Sequence, residues 1–381
     1  MNFPPVKKAV PEGYWCNGVK QSNVNSAWGK VSVKVQRLRD RAGKQRQMYW
    51  DASLDESGWT PNVLSHLLEV AARVPYEEAS HVLALFGVSV SRSQLCALTS
   101  CYAQHCHAQV STYLTSCQAQ ALASKQTSCE HVQASPTTQA RTWVLQLDGV
   151  YVLGQPQQGH CPGLEIKSAV LYAQDCPKQR WMMATRTTPE DLLPCLAGLL
   201  QQAPIAAHDR LVGLGDGAPW IANLFDHVCL THITDVFHAC GYLDTIMHAL
   251  AWSEARRLQE RCRWFRAEVN ARDWLAQHLP PPDIWAAWPD DALAALRYLD
   301  TRLDNMDYAD FAKQGLPIGS GQVEAMNKAV IGHRLKRSGM HWSATNAAAM
   351  AALRAQVCAS HPLIDMQSLR YLAFPTPELS S

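Results

Sequence analysis

The stretch TWVLQLDGVYVLG, residues 142–154, combines branched and aromatic residues with one carboxylate, Asp148. Runs of this composition are typical of β-strands. Two similar runs follow, LEIKSAVLYA (164–173) and RWMMATRTT (180–188). Three successive strands without an intervening helix predict antiparallel hairpins. We therefore expect a sheet whose first strand ends at Asp148.

Downstream of these runs, helices and strands alternate. TPEDLLPCLAGLLQQ predicts a helix, with Thr188 as N-cap and Pro189 at its first position. DRLVGLGDG is strand-like, APWIANLFDHV helical and CLTHITDV strand-like again. Strands linked by helices favour parallel pairing. The resulting mixed sheet of the α/β (α+β) class has the element order of a ribonuclease H-like fold.

Two carboxylates are expected at one edge of this sheet. Asp148 ends the first strand run and Asp216 the fourth, and ligands of open α/β sheets gather beyond the carboxyl ends of strands. Glu324, the only acid in GLPIGSGQVEAMNKAVIGHRLKRSGMHWS (315–343), can supply a third oxygen ligand. Three carboxylates suit two Mg²⁺ or Mn²⁺ ions in phosphoryl transfer. Alternatively, the aspartates are turn formers or caps, and Glu324 pairs with Lys328 on an ordinary helix.

The first 140 residues have a different pattern. Residues 1–58 are irregular and basic, which favours a solvated arm or one that contacts phosphates. Residues 59–140 predict three helices and a linker, and the second and third have the outline of a helix-turn-helix whose last helix begins near Arg92. We expect a domain boundary at residue 140, a catalytic domain over 141–358 with a helical insertion at about 240–314, and a C-terminal tail over 359–381.

Four stretches resemble, in order, the signatures of DDE-type transposases of bacterial insertion sequences: LDGVYV, GLGDGAPWI, TDVFHA and residues 315–354. Within that family the chain is similar to the Kra group, which is distantly related to Mutator-like transposases. The resemblance covers residues 61–354. It implies a ribonuclease H-like core with a helical insertion, and a catalytic and metal-binding triad that corresponds to Asp148, Asp216 and Glu324. It also implies hydrolysis at a transposon end, followed by attack of the freed 3′-hydroxyl on target DNA.

The residues around Glu324 then become candidates for DNA contacts. Backbone N–H groups of the Gly-Ser-Gly turn can approach a phosphate, and Ser320 can cap the helix. The cations that follow can bind the DNA backbone. Trp220 and Trp342 can stack on an unpaired base, or they are core residues. The expected DNA-binding residues are Gly319, Ser320, Gly321, Lys328, Arg334, Lys336, Arg337, Trp342 and Arg92.

Asp235 and His238, in TDVFHA, are accessory candidates. Asp235 competes with Asp216 as second metal ligand, and His238 either contacts the scissile phosphate, orients Asp216 or is a structural helix-start residue. Zinc is not expected at Cys229 and His232, because strand alternation separates them. Relatives often carry paired Cys-x-x-Cys motifs near the N-terminus, but Cys16 stands alone here. That region is therefore expected to be a degenerate zinc-ribbon-like segment.

The composition limits the alternatives. The net charge of +1 requires local patches for any nucleic-acid contact. The 13 scattered cysteines suit a reducing compartment, and neither a secretory signal nor a membrane span is recognisable. We expect a cytoplasmic, nucleoid-associated protein that binds double-stranded DNA as a homo-oligomer. The rival hypotheses are an inactive transposase-derived DNA-binding protein, a nuclease that cuts without joining, and a helical scaffold protein.

Overall fold

The computed structural model describes residues 10, 12–26, 29–49, 58–127, 140–229 and 231–364. Residues 128–139 of the predicted linker and residues 365–381 of the predicted C-terminal tail lie outside these ranges.

The N-terminal residues form an antiparallel sheet in the order β1-β2-β3. Its strands are β1 (Tyr14–Ser26), β2 (Gly29–Asp40) and β3 (Gln45–Tyr49). The expectation of an irregular arm was therefore wrong for these residues. Valines alternate with polar residues through the first half of β2, which is a strand pattern. The many cations in the same stretch are equally typical of a solvated basic arm, which is the structure that was expected. The zinc-ribbon-like character of the segment stays a prediction.

Three helices follow this sheet: α1 (Pro61–Arg73), α2 (Tyr76–Leu85) and α3 (Arg92–Thr127). Thr60 and Pro61 begin α1 as predicted, although the Thr60 side chain makes no capping hydrogen bond. The helix α3 has 36 residues and is much longer than the recognition helix of a typical helix-turn-helix. It packs along α4 (Pro189–Gln202) and α14 (Ala344–Cys358), which belong to the sheet-containing part of the chain.

The main sheet has five strands in the order β6-β5-β4-β7-β8. As predicted, β4 pairs antiparallel with β5 and parallel with β7. Helix α4 begins at Pro189, where the Thr188 side chain accepts a hydrogen bond from the Asp191 N–H. The strands and the linking helix α5 are β4 (Thr142–Leu153), β5 (Gly163–Ala173), β6 (Arg180–Thr185), β7 (Arg210–Gly215), α5 (Pro219–Val228) and β8 (Thr231–Thr234).

A helical region separates β8 from the helix of Glu324, as the sequence predicts. It contains α6 (Val236–Ala249), α7 (Glu254–Phe265), α8 (Ala271–His278), α9 (Pro282–Trp285), α10 (Asp290–Asp300) and α11 (Tyr308–Lys313). After it come α12 (Gly321–Asn327), a π-helical segment (Lys328–Gly332), α13 (His333–Leu335) and α14. No helix of the described residues is both long and apolar enough to cross a bilayer.

A hydrophobic core lies on each face of the five-stranded sheet. One contains the insertion helices and α12, and the other contains α1 to α5. The alanine-rich helix α14 contributes to both cores, and its residues 347–356 are all buried. Helices α1 to α3 therefore share a core with the sheet across the boundary expected at residue 140.

Two buried arginines join these helices to the C-terminal part of the chain. Arg334 donates to the carbonyl of Ala71 at 3.2 Å and lies between the rings of Tyr76 and Trp342. Arg354 donates to the carbonyl of Ala72 and to two carbonyls of the π-helical segment. Carbonyls in the last turn of a helix lack partners within the helix. The two guanidinium groups therefore cap the C-terminal end of α1.

Candidate functional site

Asp148 and Asp216 are neighbours at the end of the parallel ladder between β4 and β7. The last pair of this ladder is Leu147 with Gly215, so the two aspartates follow it side by side. Asp148 was expected at a strand end, but it lies within β4, because the antiparallel pairing with β5 continues to Leu153. Burial raises the pKa of the Asp148 carboxyl, and the negative charge of Asp216 adds to this effect.

Hydrogen bonds tie Asp148 to the helix that carries Glu324. The Asp148 carboxylate accepts from the Gly149 N–H at 2.7 Å and from the Asn327 amide at 2.6 Å. Asn327 lies three residues after Glu324, on the same side of α12. The half-buried carboxylate of Glu324 has no hydrogen bond or ion pair to the described residues, so the expected alternative of a Glu324–Lys328 ion pair is not present.

Gln146 holds the beginning of α12 against the sheet. Its side chain is fully buried in β4 and lies on the same face as Asp148. The amide oxygen accepts from the Val323 N–H at 2.8 Å, and the amide nitrogen donates to the Tyr172 hydroxyl at 3.0 Å. Sequence analysis missed this residue. The available signal was a lone amide in an otherwise apolar stretch, two residues before the candidate aspartate.

Tyr298 of the insertion helix α10 and Arg302, two residues after the end of that helix, hold the loop of Asp216. Gly217 has a φ of +76°, and a Cβ atom there would lie 2.8 Å from Arg302 Nε. Arg302 donates to the Gly217 carbonyl at 2.7 Å, and the Tyr298 hydroxyl donates to the Asp216 carbonyl. The Asp216 carboxylate accepts from the Ala218 N–H at 2.8 Å. These contacts fix the loop, and within the described ranges one carboxylate oxygen of Asp216 has no hydrogen-bond partner.

Asp235 has very different surroundings. Its carboxylate is fully buried and accepts from the Ser320 N–H at 2.8 Å, the His238 N–H at 3.0 Å and His238 Nδ1 at 2.8 Å. Burial alone would raise the pKa of this carboxyl, but the hydrogen bonds from His238 and Ser320 outweigh it and lower the pKa. These bonds leave Asp235 little capacity for a metal ion, and they anchor the Gly-Ser-Gly turn to α6.

His238 faces the two aspartates that are candidate metal ligands. Its hydrogen bond to Asp235 raises its pKa against the effect of burial, and the charges of Asp235, Asp216 and Asp148 add to the increase. The side chain is 48% exposed. His238 is therefore oriented through Nδ1 by Asp235, while its ring remains open to solvent beside Asp148 and Asp216.

The Gly-Ser-Gly turn differs from its expected role. Ser320 is at the N-cap position of α12, but its side chain is buried and makes no capping hydrogen bond. Its N–H is bonded to Asp235 and cannot also serve a phosphate. Gly319 lies against the ring of Phe237, while Gly321 is exposed with open space around it.

The candidate DNA-binding side chains divide into exposed and buried groups. Lys328, Lys336 and Arg92 are exposed. Arg337 is also exposed, and it pairs with Glu78 at 3.0 Å. The expectation that Arg334 contacts DNA was wrong. Arg334 is 1% exposed, because its guanidinium group caps the C-terminal end of α1.

Neither tryptophan that was considered for base stacking is free to stack. Trp342 is half-buried, stacks on Arg334 and donates to the Leu335 carbonyl at 3.1 Å. Trp220 lies on the opposite sheet face from Asp148, under the buried ammonium group of Lys167, which is 5.2 Å from its ring centroid. Lys167 also pairs with Glu165 at 2.8 Å. Sequence analysis missed this buried ion pair, which packs beneath Gly149.

The carboxylates at this site are candidate ligands for a metal ion. In their present positions, no three His, Cys, Asp or Glu side chains of the described ranges are grouped closely enough to hold one. The chemistry of the donors nevertheless fits a hard divalent cation, because Asp148 and Asp216 repel each other and offer only oxygen. Asp148 and Asp216 would hold such an ion, and Glu324 would complete the set through a change of its side-chain conformation.

Comparison with known proteins gives no assignment. No protein-family model matches the chain, and no curated protein matches its sequence significantly.

Proposed function

We propose that this protein is a DNA transposase of the DDE type with a ribonuclease H-like catalytic core. The main support is the convergence of Asp148, Asp216 and the helix of Glu324 at one sheet edge, although these residues are far apart in sequence. The strand order β6-β5-β4-β7-β8, with antiparallel pairing first and parallel pairing afterwards, also supports that core.

In this proposal the carboxylates hold two divalent cations. Asp148, Asp216 and Glu324 would supply their oxygen ligands. Bound Mg²⁺ or Mn²⁺ supplies Lewis-acid activation of a water or 3′-hydroxyl and stabilises the leaving oxygen. The protein residues position these ligands: Asn327 and Gln146 hold the Glu324 helix, and Arg302 and Tyr298 hold the Asp216 loop.

His238 has a positioning role in this proposal. When His238 is protonated, it carries a positive charge near the two aspartates, where a phosphate of the DNA would lie. Asp235 fixes the imidazole through Nδ1 and does not bind metal. The partner is double-stranded DNA, first a transposon end and then a target, and the active form is a homo-oligomer on paired ends inside the bacterial cell.

A mobility assay tests the function. The DNA that flanks the gene is placed around a marker, and the protein is supplied in trans as wild type or as Asp148→Ala, Asp216→Ala or Glu324→Ala. We expect movement with wild type and none with the three variants. The control is Asp175→Ala, which removes an exposed carboxylate that pairs with Arg141, and it should move the marker normally.

Three results would contradict the proposal. Movement that survives all three substitutions excludes this triad. Cleaved ends without joined products indicate a nuclease. Binding to the flanking DNA without any cleavage by the wild type indicates a transposase-derived binding protein.

A further inference from the structure

The sheet β1–β3 carries a concentrated positive charge. Between residues 14 and 49 there are eight Lys or Arg and one acid, Asp40, although the whole chain has a net charge of only +1. The Asp40 carboxylate accepts a backbone N–H from Lys44 at 2.7 Å. Seven of the cations have described side chains, and all seven are exposed without an ion pair to other described residues: Lys20, Lys30, Lys34, Arg37, Arg39, Arg41 and Lys44.

Helix α3, the expected DNA-reading helix, offers much less charge. It has the same number of residues as the stretch 14–49 but contains only two cations, Arg92 and Lys125. One side of α3 packs on α4 and α14. Affinity for DNA comes mainly from neutralised phosphates. A long helix with two cations is therefore a core element of this fold rather than its main DNA-binding surface.

The cations of β2 lie on both faces of the sheet. Pairing between β2 and β3 has no register shift, and side chains alternate along a strand. Lys30 and Lys34 therefore point to one face, and Arg37 and Arg39 to the other. A strand of 13 residues such as β1 is about 40 Å long. Gly29 to Lys34 of β2 pair with β1 and not with β3, so this part of the sheet is a two-stranded ribbon. A two-stranded ribbon fits the major groove, which is about 12 Å wide and has a phosphate backbone on each side.

The sheet has little core of its own and a defined attachment. Among the described side chains, Val24 and Val35 form a buried cluster with Val33 against them, and Leu38 is buried separately. Asn25 binds the segment before α1: its N–H donates to the Gly58 carbonyl at 2.8 Å, and its carbonyl accepts from the Thr60 N–H at 2.9 Å. The sheet β1–β3 is thus joined to α1 near the turn between β1 and β2, and its seven described cations are exposed.

We propose that β1–β3 is the surface that binds duplex DNA, through its phosphates and without a bound metal. The identity of the partner as DNA rests on the proposed function. Cations that contact phosphates give affinity without reading sequence. The sheet therefore holds DNA of any sequence, and the selection of transposon ends belongs to other residues.

The test measures DNA binding by the full-length protein in the presence of EDTA. Fluorescence anisotropy with a 30-base-pair duplex of the flanking DNA and with a scrambled duplex gives Kd between 50 and 250 mM KCl. The variant of β2, called the ribbon variant below, combines Lys30→Gln, Lys34→Gln and Arg37→Gln. The slope of log affinity against log salt should fall in magnitude by about 2 to 3, since each lost phosphate contact removes about 0.9. The slope should fall by the same amount for the flanking duplex and for the scrambled duplex.

Two control variants separate this surface from others. Arg92→Gln tests the helix-turn-helix, and a triple variant of Arg73→Gln, Arg272→Gln and Lys313→Gln removes three exposed cations elsewhere. The triple control should bind with nearly the wild-type slope, and Arg92→Gln should change the slope by less than the ribbon variant does. Melting temperatures confirm that the variants fold, and the single variant Lys34→Gln should reduce the slope by about 1 if the triple variant does not fold.

The inference is overturned if the ribbon variant has the wild-type slope, or if either control variant loses as much of the slope as the ribbon variant does. It is equally overturned if wild type binds DNA only in the absence of EDTA. It is also overturned if duplex RNA binds and duplex DNA does not. Failure of the proposed function is a separate result: the marker does not move while binding still depends on the ribbon. A marker that moves equally with wild type and the ribbon variant overturns only this inference.

Discussion

Asp216 and Asp235 each follow a parallel strand, yet their carboxylates have different partners. Asp216 accepts one backbone N–H and is half-buried. Asp235 is fully buried and accepts two N–H groups and an imidazole. At the scale of single residues, this difference distinguishes a carboxylate that is free for a ligand from one that holds the fold together.

This difference predicts unequal losses of stability. Asp235→Ala should lower the free energy of unfolding by about 2–4 kcal/mol, because the buried N–H of Ser320 loses a charged acceptor. Asp216→Ala should lower it by about 1 kcal/mol or less, because a single capping bond is lost. Urea denaturation followed by tryptophan fluorescence measures both values. Equal losses would show that Asp235 is not a structural anchor.

His232 predicts a pH dependence. Burial lowers its pKa to about 4, and its ring lies edge-on to Phe225. In the unfolded chain the imidazole titrates near its ordinary value of about 6.5. The unfolded state therefore binds the extra proton first, and stability should fall as the pH decreases from about 6.5 towards 4.

The variant His232→Leu tests this prediction. Between pH 6.5 and 4, wild type should lose about 2–3 kcal/mol more stability than the variant does, since each pKa unit corresponds to about 1.4 kcal/mol. Thermal or urea unfolding at several pH values gives the comparison. Parallel pH profiles for the two proteins would contradict a buried, neutral His232.

At the scale of secondary-structure elements, the site depends on two elements that are held against the sheet. Gln146 fixes the beginning of α12, and Tyr298 of α10, with Arg302 just after it, fixes the loop after β7. Neither contact brings a chemical group to the reaction. Both set the distance between carboxylates that belong to different elements, so disturbing them should affect activity through geometry.

Gly217→Ala should displace Asp216. Its φ of +76° and the close approach of Arg302 Nε and Tyr298 Oη leave no space for a Cβ. Gly315→Ala is the matched control, because Gly315 has a φ of +70° with open space around it. Both variants should lose about 1–2 kcal/mol of stability from the left-handed backbone. Only Gly217→Ala should also reduce DNA cleavage, by about a hundredfold, as misplacement of a catalytic group does. Similar activities for both variants would exclude this role of α10.

Gln146→Leu should weaken the attachment of α12. It leaves the buried Val323 N–H without an acceptor, which costs about 1–3 kcal/mol. We expect cleavage to fall together with stability. Gln174→Leu is the control, since the half-buried Gln174 lies in the turn after β5 and loses one hydrogen bond to the Gly315 carbonyl, which should cost about 1 kcal/mol or less. If Gln146→Leu were as stable as wild type, the hydrogen bond between Gln146 and the Val323 N–H would not be what holds α12.

Sequence patterns predicted the elements much better than the contacts between them. The apolar runs of β4 to β8 and the Thr188 cap have local signatures, and the structure confirms them. The partners of Gln146, Asn327 and Arg334 are 177, 179 and 263 residues away in sequence. No local periodicity encodes such pairs. The buried Arg334 was therefore mistaken for a DNA contact, and the roles of the Gln146 and Asn327 amides were missed.

At the scale of the whole molecule, α1 to α3 belong to the same folding unit as the sheet. Their apolar residues share a core with β4 to β6, and two arginines from the C-terminal part cap α1. A separate N-terminal helical domain would unfold independently. A shared core predicts one cooperative transition for residues 59–127 and the sheet together.

Arg354→Met tests this coupling. It removes the donors for the carbonyls of Ala72, Ala329 and Val330, and it should lower stability by about 3–5 kcal/mol. Arg337→Met, which breaks an exposed ion pair with Glu78, should cost about 1 kcal/mol or less. Calorimetry should show one shifted transition for Arg354→Met. Two separate transitions would show that the helices fold alone.

The position of α14 also has a consequence for synthesis. This helix contacts both the first helices and the sheet, although it begins at Ala344, long after α3 ends at Thr127. Until α14 has been synthesised, the apolar residues of α1 to α3 that pack against it are exposed to solvent. Such a nascent chain is prone to aggregation and is a natural client for chaperones. A ribosome stalled before residue 344 should therefore hold a protease-sensitive N-terminal half.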